Sequence, residues 1–135
     1  VKVNQQGCPT ALRIEKETPV AGLRFARNSE EIQAGHAALD SIAACLVAYP
    51  DVTVEIEGHT SSVGSTENNM MLSQRRAEAV ARYLSDRGVA SSRMMPIGYG
   101  EDRPIAPNET EPGRMQNERV VIVPTKVELP GVAPK

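Results

Sequence analysis

Alternation of apolar and polar positions is cleanest in "DVTVEIEGH", residues 51–59, where Val52, Val54 and Ile56 share one side and Thr53, Glu55 and Glu57 the other. A period of two over this length predicts a half-buried strand. "NERVVIVP", residues 117–124, is apolar at nearly every position and predicts a strand in the middle of a sheet. "RMMPIGYGE" predicts a short strand whose Pro96 confines it to an edge or to irregular pairing. Nearer the start, Leu12 and Ile14 alternate with charges in "ALRIEKE", predicting a first strand, and "GLRFA" continues the sheet through Leu23 and Phe25.

Between these segments the period changes to that of a helix. Ile32, Leu39, Ile42, Ala43 and Leu46 follow one face. That helix is expected to open at "NSEEI", with Asn28 or Ser29 as its cap and two acids favouring the dipole, and to stop at Pro50. A second helix, from about Thr66 to Asp86, buries Leu72, Ala77, Val80 and Leu84, and Gly88 supplies a left-handed cap. "EDRPIAPNETEPGR" reads as a proline-rich loop. The pattern predicts an α/β (α+β) fold, a two-layer sandwich of βαβαββ order with two main helices packed on one mixed sheet. Residues 1–10 are expected to form an irregular lead, 11–124 the domain and 125–135 a flexible tail.

The chain has 135 residues, enough for one domain with a core of its own. A net charge of −2 gives no electrostatic reason for nucleic-acid binding, and no Trp with a single Phe leaves little for stacking bases. No apolar run reaches the length of a membrane span, and the start, at Val1, lacks the layout of a signal peptide. Of two cysteines, Cys45 in "SIAACLVAY" reads as a small buried apolar residue rather than half of a bridge.

Chemistry narrows the choice further. His36 and His59 are the only histidines, and neither has an acid–base partner at a telling spacing. "GHTSS" is not a nucleophile elbow, there is no Cys/His cluster for zinc, and no strand is followed by a phosphate loop. Neither catalysis, cofactor nor metal is expected, and His59 reads as a hydrogen-bonding member of its loop.

The junction "GHTSSVGSTENNMMLSQRRAEAV" carries more. Asn69 and Arg76, two turns apart, return to one helical face near the amino end, where free backbone N–H groups favour an anion. An arginine fork suits a carboxylate, Asn69 both donates and accepts, and Thr60 and Ser61 add short hydroxyls. This set suits a small zwitterion. The alternative is that Arg76 pairs with Glu78, Glu67 or a loop carbonyl, and that Asn69 is only a surface residue.

Three stretches carry a resemblance: "FARNSEEI", "VEIEGHTSSVGSTENNMMLSQRRAEAVARYLSDRGV" and "IGYGEDRPIAPNETEPGRMQNERVVI". In order and spacing they resemble the successive motifs of the OmpA-like peptidoglycan-associating domain, over roughly residues 11–124. The resemblance implies non-covalent binding of the peptidoglycan stem peptide through diaminopimelate, with an Asp for its ammonium group and an Arg for its carboxylate. It places the arginine on Arg76, which backbone N–H groups near Ser61 and Ser62 would assist. The loop–helix asparagine falls on Asn69, and Asn28 and Thr60 match further motif positions. It also implies a periplasmic location in a Gram-negative-type envelope and attachment to an outer-membrane or lipid-anchored region upstream. In such domains a cysteine placed like Cys8 commonly pairs with one farther upstream.

Two positions depart from the pattern. The family's "GHTD" reads "GHTS", so Ser61 replaces the ammonium-binding carboxylate. "NRRV" reads "NERV", so Glu118 replaces the first arginine while Arg119 is retained as a site residue. Loss of a charge-assisted hydrogen bond weakens binding about ten- to a hundredfold. A second reading follows, a scaffold with a vestigial pocket that serves as a periplasmic protein-interaction module.

Overall fold

The computed structural model describes residues 18–126. Its elements in chain order are β1 (Thr18–Pro19), β2 (Arg24–Phe25), β3 (Ile32–Ala34), α1 (His36–Ala48), β4 (Thr53–His59), α2 (Thr66–Ser85), a 3-10 turn at Ser91–Arg93, β5 (Met94–Gly98), α3 (Glu111–Asn117) and β6 (Arg119–Lys126). "ALRIEKE" lies outside the described residues.

Four strands make the main sheet, in the order β1–β6–β4–β5. β6 runs antiparallel to both β1 and β4, whereas β4 and β5 are parallel. The sheet is therefore mixed, with the apolar β6 inside it and Pro96 on an edge strand, as their patterns require. Val52, Val54 and Ile56 are buried against Leu39, Ile42, Leu46, Val80, Leu84 and Ile122. Sheet pairing continues to Lys126.

α2 fixes the geometry of everything that follows. Ser65 caps it, accepting from the Asn68 N–H at 3.1 Å. The helix crosses the sheet over Gly58 and Gly98, which are paired in register. A Cβ on Gly58 would collide with the Ser73 carbonyl oxygen, and one on Gly98 with the Gln74 nitrogen. Only hydrogen at both positions lets the backbones approach this closely. Beside the crossing, the Gln74 carboxamide donates to Pro96 O at 3.1 Å and accepts from Gly98 N at 2.7 Å. At the far end of β4, Arg93 donates to the carbonyls of Leu46 and Tyr49 at the end of α1, each at 2.8 Å, and to that of Val52, just before β4, at 2.9 Å.

Several expectations are corrected. "NSEEI" does not open a helix: Asn28 adopts φ 55, Ser29 Oγ accepts from Glu31 N at 3.0 Å, and Ala26 N donates to Glu31 O at 2.9 Å. These bonds turn the chain back, so Ile32 lies in a strand and α1 begins only after Gly35. Gly35, at φ 96, sits where a Cβ would be 2.6 Å from Leu23 Cα. "GLRFA" does not extend the main sheet, because β2 pairs with β3 in a separate two-stranded sheet. The proline-rich loop contains α3, which Thr110 caps by accepting from Gly113 N, with Pro112 in its first turn. Glu57 does not face outward; it is buried and shares a hydrogen bond with His59 Nε2 at 3.2 Å, while His59 stacks on Tyr99. Cys45 is disulfide-bonded rather than a free apolar thiol, and Cys8 lies outside the described residues.

Candidate functional site

An open groove of about 1090 Å³ lies between the β2–β3 hairpin, the amino half of α2 and α3. Phe25, Asn28, Val63, Asn69, Arg76 and Glu118 line it, and Arg24 and Arg27 stand on its rim. The volume is slightly above the range usual for small-molecule sites.

Arg76 is 6% exposed, and each of its three nitrogens donates. Nη1 pairs with Glu118 Oε1, Nε bonds Ser29 O at 2.8 Å, and Nη2 bonds Ala26 O at 3.4 Å. Its guanidinium carbon lies 4.8 Å from the centre of the Phe25 ring, a cation–π distance. Glu118 uses its second oxygen as well, accepting the Ser61 backbone N–H at 2.8 Å. One carboxylate thus bridges the guanidinium and the backbone donor at position 61. The strand register explains how it gets there: His59 pairs with Arg119, which brings residue 118 alongside the loop leaving β4.

The other expected residues divide into three sets. Asn69 lines the groove but is 3% exposed, and its amide nitrogen holds Ser61 O at 3.3 Å and Glu101 Oε1 at 2.8 Å. Asn28 lines the groove through its left-handed turn and accepts from Asn68 Nδ2 at 3.3 Å. Ser61 and Thr60 are buried behind the groove: Ser61 Oγ accepts from Val63 N, and Thr60 N donates to Gly100 O. Ser62 and Arg119 turn toward the loop before α3. There Ser62 N donates to Asn108 Oδ1 at 3.3 Å, and Arg119 donates to Asn117 O and Arg103 O. The N–H groups of Ser61 and Ser62, expected to receive a ligand, are thus both engaged by side chains of the protein.

Sequence reasoning missed two asparagines. Asn117 is fully buried; its Oδ1 accepts from Ile105 N and Ala106 N, and its Nδ2 donates to Ala106 O and Asn108 Oδ1. Through Asn108 it reaches Ser62, so the loop before α3 and the loop after β4 are braced together. An asparagine shortly before the apolar run of β6 was the available signal.

Residues 24–118 match the OmpA family, and the chain belongs to it. It is 36% identical over 121 residues to outer membrane porin F of Pseudomonas aeruginosa, covering 89% of this chain and 34% of that protein. With the peptidoglycan-binding protein ArfA of Mycobacterium tuberculosis it shares 45% over 92 residues, covering 68% of this chain and 28% of that protein. The crystal structure of the peptidoglycan-associated lipoprotein from Burkholderia pseudomallei is similar at 32% identity and a TM-score of 0.70, over 82% of this chain and 90% of that one. The chain spans about a quarter to a third of the length of these curated relatives.

Proposed function

We infer that this domain binds peptidoglycan non-covalently, through the diaminopimelate of the stem peptide, and so holds a longer envelope protein to the wall in the periplasm. It acts without catalysis. One observation carries the reading: at the foot of an open groove, a buried guanidinium and a backbone N–H converge on a single carboxylate. Two such donors make a seat for an acid, and charge-assisted bonds of this kind are among the strong ones. Asn69 and Asn28 position the ligand beside it, and Thr60 and Ser61 shape the wall behind. Relatives named for peptidoglycan association support the polymer as partner.

A specific observation also favours the second reading, a retained scaffold serving as a periplasmic protein-interaction module: Glu118 of the protein itself occupies the seat. Co-sedimentation with insoluble peptidoglycan separates the two. The wild-type protein is expected in the pellet, and Arg76→Ala, with its fold checked by circular dichroism, is expected to lose about tenfold or more in affinity. Equal sedimentation of a folded Arg76→Ala protein removes the pocket from the account.

A further inference from the structure

Glu118 is the one acid among the described residues that line the groove. Both its oxygens are already held, one by Arg76 Nη1 and one by the Ser61 N–H, yet the side chain stays 36% exposed. Each carboxylate oxygen keeps a further lone pair. A ligand carboxylate arriving here finds its seat filled. To enter, it must expel Glu118; at Arg76 one acid then merely replaces another, and the displaced charge stands unpaired beside the newcomer. Like charges brought together in this way oppose binding. An ammonium group meets the opposite situation, a fixed carboxylate on a side chain that is 36% exposed and lines the groove. Arg76 already turns each of its nitrogens to the protein, Nε to Ser29 O, Nη2 to Ala26 O and Nη1 to Glu118, and is only 6% exposed. Other cations stand farther out: Arg24 and Arg27 lie on the rim and form no ion pair among the described residues.

We propose that Glu118 sets the specificity of this groove: as a built-in carboxylate it turns the Arg76 end into an amine seat, selecting a ligand whose ammonium-bearing carbon carries no free acid and whose remaining acids lie at Arg24 and Arg27. The inference rests on the stem-peptide reading above and replaces the acid contact at Arg76 with an amine contact at Glu118. Diaminopimelate is a lysine with an extra carboxylate on its terminal carbon. Neutralising that acid as an amide keeps the ammonium and removes the group that Glu118 repels. Among diaminopimelate stem peptides, the groove therefore prefers those carrying the amide.

The test uses two synthetic tripeptides, alanyl-γ-glutamyl-diaminopimelate with the terminal acid free or amidated, titrated calorimetrically at one ionic strength. Wild-type protein is expected to bind the amide about tenfold more tightly than the acid. Glu118→Gln, which preserves shape, is expected to erase that preference, with its melting temperature followed to show that it folds. Glu118→Ala serves as the second variant and is expected to let the free acid bind as well as the amide or better. Equal or tighter binding of the free acid by wild type overturns the proposal, as does a preference that survives both substitutions, and either result leaves the stem-peptide reading standing. Absence of binding to both peptides and to insoluble peptidoglycan overturns that reading and this proposal with it.

Discussion

Two guanidinium groups are drawn against backbone carbonyls at opposite ends of β4, and their surroundings differ in one respect. Arg93 spends its donors on Leu46, Tyr49 and Val52, carbonyls around the end of α1. Burial pushes that guanidinium down from its ordinary value, with Asp51 opposing the shift. Arg76 also holds two carbonyls, but it adds a carboxylate and fronts an open groove. The first arrangement closes a helix end and is complete in itself. The second leaves a partly exposed carboxylate, Glu118, in the groove, where a ligand can reach it. Binding to backbone carbonyls therefore says little about an arginine's role; what else it faces decides.

The contrast can be broken most forcefully at its structural end. Arg93→Ala strands several carbonyls at once and is expected to lower the unfolding free energy by about 3 kcal/mol. Urea denaturation measures this, while the folded fraction should bind peptidoglycan as before. Selective loss of binding in a stable Arg93→Ala protein would erase the distinction between the two arginines. Gly58→Ala comes next, because its Cβ collides with the backbone of α2 at Ser73. A loss of about 1–3 kcal/mol is expected from such overpacking, seen as a lower thermal midpoint. Weakened peptidoglycan binding should accompany it, since the same helix carries Arg76.

The smallest effect is expected at Asp40, on the surface away from both arginines. A hydrogen bond from Tyr83, followed by the hydrogen bond and charge of Arg87, holds its carboxyl below the ordinary 3.8 against the opposing effect of burial. A lowered value stabilises the fold above 3.8 and loses that contribution as the pH falls through the lowered value. Asp40→Asn should therefore melt slightly below wild type at neutral pH, and the gap should close in acid. A gap that widens in acid contradicts the sign. Binding should not respond.

Much of this architecture was legible where the apolar period was long. β4, α2, β5 and β6 stand where Val54, Leu72, Val80, Met94 and Ile122 required them. The hairpin of β2 and β3 was not, because it is set by a left-handed Asn28 and a glycine contact rather than by any run of apolar residues. α3 escaped because it buries only Gly113 and Asn117, so its start signals at Thr110 and Pro112 had no apolar stripe behind them. At the site, the helical offset from Asn69 to Arg76 was readable because local geometry determines it. The grip of Glu118 on Arg76 and Ser61 was not, since it spans 42 and 57 residues and exists only once β6 has paired with β4 in register. Likewise Cys45 looked like a core residue and is one, yet it is also disulfide-bonded, which its apolar neighbours in sequence do not signal.

The Gln74 carboxamide, bound to Pro96 O and Gly98 N, acts as one peptide group of an added strand. β5 would otherwise be an open border, with hydrogen-bonding groups ready to template another chain. Pro96 has already removed a donor from that border. Copies at high local concentration meet edge to edge, and sheet growth between neighbours would gather them into aggregates. The Gln74 carboxamide occupies two backbone groups on that border, Pro96 O and Gly98 N, and so withdraws them from such pairing.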